Sequence, residues 1–391
     1  MHINLKILHI NTIDTGGAAI AAIRLHELLL QNGVESKILF LWRSGKVSVK
    51  ESFYFEDLFS SKLIFKIQYK LNVLFNRRFT FYKPNLYFNG PDSLFDISKH
   101  PLFGWAEVIH FHWVVKFLDW NSVFNNSKKK FVWTLHDMNP FTGGEHYKTG
   151  YNNEFKFASK RNIHVKQNAL KGVDLTVISP SEWMKNCAEK SEVFKEIKIA
   201  TVRNPIPNVV FNRNFVGDFA DLNIDKSKIN LLFVAENPSD VRKGFHLLIQ
   251  ALNNIQDKEV FQLYIIGKEI NGIELPIKHQ FLGVVSDPYQ LAKIYCSVDY
   301  FIIPSIEDNL PNTVSEALLC GTPVIGFEVG GIKEMIQNGI NGFLVNNEVE
   351  LGVLLNKIAN KEVEINKQAI PNNMELDEHK ILSQVLAIYS N

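Results

Sequence analysis

The chain has few cysteines, no excess of charge and no long apolar run, and each of these features excludes a class of protein. Its three cysteines in 391 residues are far apart and form neither a disulfide framework nor a metal-binding pattern. The net charge of +1 gives no argument for nucleic-acid binding. No stretch approaches the roughly 20 apolar residues that a membrane-spanning helix needs. We therefore expect a cytoplasmic protein.

The remaining composition is typical of a globular enzyme with more than one domain. Hydrophobic residues make up 46% of the chain and charged residues 21%, which is ordinary for folded proteins. The length predicts two or three domains at about 150 residues each. The first apolar run, residues 7–10, is short and interrupted by His9, so it does not predict a secretion signal.

Short apolar runs alternate with helical patterns in both halves of the chain, which predicts an α/β fold with parallel sheets. Strands are predicted at residues 6–10, 36–41, 107–111, 131–135, 175–178, 230–235, 262–266, 300–303 and 323–327. Pro205 and Pro207 break regular structure between the halves. We therefore predict domains at 1–207 and 208–375, followed by a C-terminal helix within 376–391.

The stretch from Pro304 to Pro323 places two carboxylates, Asp308 and Glu316, around a loop that opens into a helix, and a Gly-Gly turn follows at 330–331. This combination resembles the nucleotide-sugar site of the GT-B glycosyltransferases, in particular retaining family four. The resemblance covers essentially the whole chain and is strongest over 231–346. It implies two Rossmann-like, doubly wound domains that face each other across a cleft, with helix 376–391 packing back on the first.

The resemblance assigns most of the donor-binding residues to the second half. Glu316 is expected to accept hydrogen bonds from the ribose hydroxyls, and Asp308 to contact the transferred sugar. The start of the helix offers further donor contacts through Asn309, Leu310, Pro311, Asn312 and Thr313. The family usually has Glu where Asp308 stands, which leaves the sugar open. Taken alone, each carboxylate would more often be an ordinary acidic residue of a capped surface helix.

Arg242 and Lys243 precede Gly244 at the start of another predicted helix, where two cations oppose the helix dipole. A bound diphosphate would resolve that conflict, and the Lys-Gly pair matches the donor-phosphate lysine of the family. Ala235-Glu236 stands where the family usually has Gly-Arg. A solvated basic turn is the alternative interpretation.

The metal-binding pattern D-x-D occurs nowhere in the chain. Its absence agrees with stabilisation of the leaving group by Arg242, Lys243 and backbone dipoles. No cofactor and no obligatory metal are expected beside the nucleoside-diphosphate sugar.

Two glycines, Gly16 and Gly17, follow the first predicted strand. Glycines let backbone N–H groups approach a phosphate closely. A lone Gly-Gly turn is equally compatible with a plain turn, but its position after the first strand matches the family and assigns both residues to donor binding.

His136 and Asp137 end the fourth predicted strand, where open α/β sheets place their ligands. The resemblance places His136 beside the transferred sugar, and Asp137 would orient its imidazole. Glu145, His146 and His112 are predicted to contact the acceptor, Glu145 less firmly because related sequences often carry Cys there. His110 and His112 would share one strand face, opposite Phe111. A buried histidine alone is more often a hydrogen-bonded core residue.

Segment 62–83 contains six basic residues, no acidic residue and many aromatics. This composition is typical of a helix at an anionic membrane surface, and equally of a domain helix with a basic exposed face.

The function that these features imply is retaining transfer of a hexose from a nucleoside-diphosphate sugar to a hydroxyl acceptor, in polysaccharide or glycolipid biosynthesis. The acceptor would be lipid-linked if 62–83 contacts a membrane, with the protein at its inner face. Two alternatives stay open, a nucleotide-sugar 2-epimerase of the same fold and a non-catalytic sugar-binding protein.

Overall fold

The computed structural model describes residues 5–45, 48–77, 87–124, 128–151, 155–214, 224–270, 272–371 and 376–391. The chain forms two compact units. The first contains the residues up to Pro205 together with Glu378–Asn391, and the second contains Ile206–Asp377. The sequence placed the boundary two residues later, after Pro207.

The first unit is built on a seven-stranded parallel sheet of order β3-β2-β1-β4-β5-β6-β7. Its strands are β1 Lys6–Ile13, β2 Glu35–Trp42, β3 Ser52–Tyr54, β4 Val108–Phe111, β5 Lys130–Thr134, β6 Leu175–Ser179 and β7 Lys198–Thr201. The five predicted strands are all present. The sequence missed the two edge strands, because β3 has three residues and β7 is partly exposed.

Helices cover both faces of this sheet. They are α1 Gly17–Gln31, α2 Lys62–Arg77, α3 Pro101–Trp105, α4 Trp120–Phe124, α5 Lys156–Ala169, α6 Glu182–Glu189 and the C-terminal α11 Glu378–Ser390. Helix α11 inserts Ile381, Val385 and Tyr389 into the same core as Ile7 and Val108 of the central strands. The end of the chain therefore completes the first unit.

The second unit has a six-stranded parallel sheet of order β10-β9-β8-β11-β12-β13. Its strands are β8 Ile229–Val234, β9 Phe261–Ile266, β10 Lys278–Gly283, β11 Tyr300–Ile303, β12 Val324–Phe327 and β13 Gly342–Val345. Its helices are α7 Phe245–Asn253, α8 Pro288–Ser297, α9 Asn312–Leu319 and α10 Glu348–Ala359. The central strands are almost wholly buried, as the continuous apolar runs predicted.

Each sheet reverses its strand order once, between β1 and β4 in the first unit and between β8 and β11 in the second. The loops after these neighbouring strands diverge to opposite faces and leave a crevice at the carboxyl edge, where open α/β sheets bind their ligands. Every predicted site residue lies in a loop or helix that follows the carboxyl end of a strand in its own unit. In the described part of the chain, no helix is long and apolar enough to cross a membrane.

Candidate functional site

The predicted donor residues of the second unit meet at its switch point. Lys243 follows β8 and Asp308 follows β11, and Lys243 Nζ lies 2.6 Å from Asp308 Oδ2. Arg242 Nη1 lies 3.4 Å from the same oxygen and donates to the carbonyl of Glu307 at 3.1 Å. The structure thus joins all three residues in one ion-pair cluster.

This cluster changes the electrostatic argument for Arg242 and Lys243. Both cations face Asp308, and Arg242 Nη2 also lies 3.6 Å from Asp240 Oδ2. These carboxylates offset the two cations within the protein, and a bound diphosphate as their further partner stays a prediction. Burial alone would raise the pKa of Asp308, but Lys243 and Arg242 hold that pKa below its usual value. Asp308 is an ionised, nearly buried carboxylate.

Two glycines with positive φ let the backbone close around the cluster. A Cβ on Gly244, which has φ 69°, would lie 1.8 Å from the carbonyl oxygen of Pro304. A Cβ on Gly330, at φ 54°, would lie 2.0 Å from the carbonyl oxygen of Asp308, which also accepts a hydrogen bond from Gly331 N at 3.1 Å. Only glycine fits at these two contacts.

Glu316 lies in the second turn of α9 and is almost fully buried. The Tyr295 hydroxyl donates to Glu316 Oε2 at 3.3 Å. Pro311 caps the helix in an extended conformation, and Asn312 and Thr313 form its first turn. Asn309 N donates to Asp308 Oδ1 at 3.1 Å, and Leu310 packs in the core.

A chain of three imidazoles occupies the switch point of the first unit. His9 Nδ1 lies 3.0 Å from His112 Nε2, and His112 Nδ1 lies 3.1 Å from His136 Nε2. The rings of His110 and His112 stack with centroids 4.4 Å apart, as expected for one strand face. Phe111 points the other way and packs on Phe131.

These histidines are held neutral. Burial lowers the pKa of His136 to about 4, with the charge of Asp137 opposing the shift. Burial and the neighbouring His136 lower the pKa of His110 to about 3. Burial, reinforced by the neighbouring histidines, also lowers the pKa of His9 and of His112 well below the usual range. Each imidazole therefore carries one ring proton at neutral pH, so in each histidine pair one nitrogen donates and the other accepts.

The buried nitrogens of His9, His110 and His112 lie within 4.8 Å of one another, a spacing that a metal ion would accept. Both ring nitrogens of His110 are already hydrogen-bonded, Nδ1 to the Tyr389 hydroxyl at 2.6 Å and Nε2 to Thr134 Oγ1 at 2.8 Å. Metal binding there would require these short bonds to break. Hydrogen bonds account for both ring nitrogens of His110 and of His112, whereas His9 Nε2 is buried without a hydrogen-bond partner.

Asp137 orients a different histidine from the one predicted. Its Oδ2 lies 2.5 Å from His146 Nδ1 and accepts from Trp113 Nε1 at 2.9 Å, while its Oδ1 accepts from Asn139 N at 2.9 Å. The expectation that Asp137 orients the His136 imidazole is therefore wrong, since His112 holds that ring instead. Burial would raise the pKa of Asp137, but His146 and these donors lower it.

His136, Asp137, Trp113 and Asn139 line one pocket of the first unit together with Gly90. The polar groups that converge on this pocket make it a candidate ligand site. Glu145 is half-buried and directly precedes His146 in the loop after β5. Its backbone carbonyl accepts a hydrogen bond from Thr142 Oγ1 at 2.6 Å.

The first strand leads into the other predicted donor turn. Gly16 has φ 90° and caps α1, and Gly17 is the first residue of that helix. A Cβ on Gly17 would meet nothing within 4 Å, so open space lies beside it. The turn therefore leaves room for a ligand, and it serves equally as a plain helix start.

Sequence reasoning missed Lys166, Trp113 and Tyr295. Lys166 is buried in α5, and its Nζ donates to the carbonyls of Asn139 at 2.5 Å and Thr142 at 3.0 Å. Burial lowers its pKa to about 7 against the opposing charges of Glu145 and Asp137. Lys166 thus holds the loop after β5 in place by hydrogen bonds to two of its carbonyl groups. A helical lysine that has no carboxylate partner is expected to be exposed. This contact is therefore visible only in the folded structure.

Comparison with known proteins gives a family match within the second unit. Residues 228–359 match the family model described as glycosyl transferases group 1. Over this segment the second unit is similar to the group 1 glycosyltransferases. The matched segment includes the Lys243–Asp308–Arg242 cluster and Glu316, whose roles stay predictions, as does membership of family four.

Similar proteins extend this result. An uncharacterized 41.2 kDa protein in the cps region of Klebsiella pneumoniae is 26% identical over 66% of this chain and 68% of its own length. The N,N'-diacetylbacillosaminyl-diphospho-undecaprenol alpha-1,3-N-acetylgalactosaminyltransferase of Campylobacter jejuni is 24% identical over 54% of this chain and 58% of its own. Three other curated relatives are matched over only 29–37% of their lengths.

The fold is that of the GT-B glycosyltransferases. The crystal structure of Anabaena Alr3699/HepE in complex with UDP and glucose matches with a TM-score of 0.61 and 16% identity, covering 99% of this chain and 98% of that one. The predicted fold class of two Rossmann-like α/β domains is confirmed.

Proposed function

We propose that this glycosyltransferase moves a hexose from a nucleoside-diphosphate sugar to a hydroxyl acceptor with retention at the anomeric carbon. The observation that carries the donor assignment is the Lys243–Asp308–Arg242 cluster at the β8/β11 switch point, with Glu316 buried in the following helix. A nucleotide sugar presents a diphosphate, a ribose and a sugar, and this small region offers cations, a buried carboxylate and a second carboxylate for them.

Lys243 and Arg242 would stabilise the diphosphate as negative charge develops on the leaving group. Asp308 would then exchange part of its pairing with these cations for hydrogen bonds to the sugar. The leaving phosphate would accept the acceptor's proton while the sugar passes through an oxocarbenium-like state. The cations already stand in the second unit, so we propose that no metal is obligatory. Turnover in excess EDTA tests this.

In the first unit we propose that His136 serves the reacting sugar and that His112, His146, Asp137 and Glu145 serve the acceptor. The neutral state of His136 suits it to hydrogen bonding rather than to charge stabilisation. The pocket formed with Trp113 and Asn139 supports an acceptor contact on this side.

We propose a role in polysaccharide or glycolipid biosynthesis with a lipid-linked acceptor, at the cytoplasmic face of a membrane. The support comes from the cps-region relative and from the undecaprenol diphosphate in the name of the Campylobacter enzyme.

A thermal-shift measurement of the full chain with UDP, GDP, ADP and their sugars tests the donor assignment. A ligand that binds only the folded state raises the melting temperature by mass action. We expect one base to give a clear shift that Lys243→Ala and Glu316→Ala remove and that the exposed Lys357→Ala keeps. The donor assignment fails if folded wild-type protein shows no shift with any nucleotide.

Turnover of the selected donor then separates the alternatives. A transferase consumes donor only when a suitable acceptor is added. A 2-epimerase would convert it without an acceptor, and a sugar-binding protein would not convert it at all.

A further inference from the structure

Helix α2 exposes an apolar stripe to solvent. Large aliphatic side chains follow one another at helical spacing and are about half to two-thirds exposed, Leu63 at 67% and Leu74 at 64% being the most open. The stripe consists of Leu63, Ile64, Ile67, Leu71 and Leu74. At about 100° of rotation per residue, these five fall within one sector of roughly 100°. A contiguous apolar patch of this kind on a soluble protein marks a contact surface.

The helix cannot turn this stripe inward. Phe65, on the opposite side, is buried against Phe59 and Phe95. Asn72 is fully buried, with its Nδ2 donating to Lys116 O at 2.7 Å and its Oδ1 accepting from Leu94 N at 2.7 Å. Rotation of α2 would break both bonds and expose Phe65. The apolar stripe is therefore held outward by the fold.

A row of lysines lies beside the stripe. Lys62, Lys66 and Lys70 are exposed and follow at intervals of four residues, in the sector next to the apolar one. Helix α2 contains no acidic residue. An apolar face edged by cations is the arrangement of a helix that lies in the plane of a bilayer, with the lysine stems along the acyl boundary and the ammonium groups among the headgroups.

We propose that the surface formed by the apolar stripe and Lys62, Lys66 and Lys70 binds an anionic lipid bilayer. Anionic headgroups supply the negative charge that the lysine row lacks. A second copy of the chain would set lysine rows side by side with no carboxylate from α2 to neutralise them, which disfavours self-association through this face. Residues 78–83 of the basic segment lie outside the described residues, so the proposal rests on α2 alone.

The test is co-sedimentation of the full chain with vesicles of phosphatidylcholine mixed with phosphatidylglycerol, and with vesicles of phosphatidylcholine alone. We expect binding to the anionic vesicles that weakens as salt is raised. Replacing the three lysines by glutamine should weaken it roughly 100-fold. A second variant removes the apolar contact and should weaken binding at least about tenfold; it changes Leu63, Ile67 and Leu74 to glutamine.

Matched controls change exposed residues of the same kind elsewhere. Lys156→Gln with Lys160→Gln on α5 controls for charge, and Val349→Gln with Val353→Gln on α10 controls for apolar exposure. Both controls should bind vesicles like wild type. All variants should keep the wild-type melting temperature, since only exposed side chains change.

Absence of binding to anionic vesicles by the folded wild type would overturn the proposal, and so would equal binding to both vesicle types. A concentration-dependent dimer that the apolar variant abolishes, without vesicle binding, would assign the face to a second copy instead. The proposal is independent of the donor assignment, because vesicle binding requires neither donor nor acceptor.

Discussion

Lys243 Nζ lies 2.6 Å from Asp308 Oδ2, so the lysine assigned to the donor phosphate and the carboxylate assigned to the sugar are bonded to each other. The bond holds both side chains in place before a ligand arrives. It also means that an anionic nucleotide competes with Asp308 for Lys243 and Arg242.

Asp308→Asn should separate binding from turnover. Removal of the carboxylate charge takes this partner from Lys243 and lowers the negative charge beside Arg242, so we expect nucleoside diphosphate to bind on the order of fivefold tighter. Transfer to acceptor should fall sharply because the sugar contact is weakened. Lys243→Ala should instead weaken nucleotide binding by about 10- to 100-fold. Titration calorimetry on both variants measures this, and weaker nucleotide binding by Asp308→Asn would contradict the competition.

Gly330 and Gly339 offer a matched pair for the backbone contact at Asp308. Both have positive φ, but a Cβ on Gly339 meets nothing within 4 Å, whereas one on Gly330 would lie 2.0 Å from the Asp308 carbonyl oxygen. We expect Gly339→Ala to cost about 1–2 kcal/mol of unfolding free energy and Gly330→Ala about 2–4 kcal/mol. Only Gly330→Ala should also reduce nucleotide affinity. Equal losses in denaturant unfolding would argue against a steric contact there.

Lys166 should make stability depend on pH. Its pKa is about 7 in the folded chain and near the ordinary 10.5 when unfolded, so the unfolded chain binds more protons between these values. Stability should therefore rise with pH in that window, by about 1.4 kcal/mol per pH unit at most. Unfolding curves from pH 7 to 10 check this against Lys166→Met, which should lose that dependence. The exposed Lys171→Met should keep it.

His136 should remain neutral through the physiological range. Because its pKa is lowered to about 4, donor turnover should show no transition near pH 6.5 from this residue. We expect His136→Gln to lose most turnover and to retain the nucleotide thermal shift of wild type. Loss of that shift in the variant would indicate that His136 is needed for the folding of its unit rather than for the reaction.

Tyr389 ties the last helix to the central strand β4 through His110. Tyr389→Phe leaves a buried His110 nitrogen without its partner at 2.6 Å, and we expect a loss of about 1–3 kcal/mol in unfolding free energy. The exposed Tyr87→Phe is the control and should change little. Chemical denaturation measures both, and equal behaviour of the two variants would exclude a structural role for this bond.

The sequence predicted the buried strands well, because each is a nearly continuous apolar run such as Phe261–Ile266. Strands β10 and β13 were missed since β10 carries polar, exposed residues and β13 begins with a glycine and is buried only at its two ends. The apolar sequence pattern of a strand is weak where one side of that strand does not pack against other residues.

The site residues were predicted singly, but their pairing was not. Lys243 and Asp308 are 65 positions apart and meet only because β8 and β11 are neighbours in the sheet. Asp137 was assigned to its sequence neighbour His136, but both residues lie in the loop after β5, and His136 pairs with His112 instead. Its true partner, His146, arrives from the loop that follows.

The dependence of the first unit on Glu378–Asn391 has a consequence for synthesis on the ribosome. Domains generally fold as units from the N-terminus while the chain emerges. Here the first unit cannot close its core around Ile7 and Val108 until the final helix has left the exit tunnel. All strands of the second unit lie before this helix in the chain, so we expect the second unit to complete its fold first, in the reverse of the order of translation.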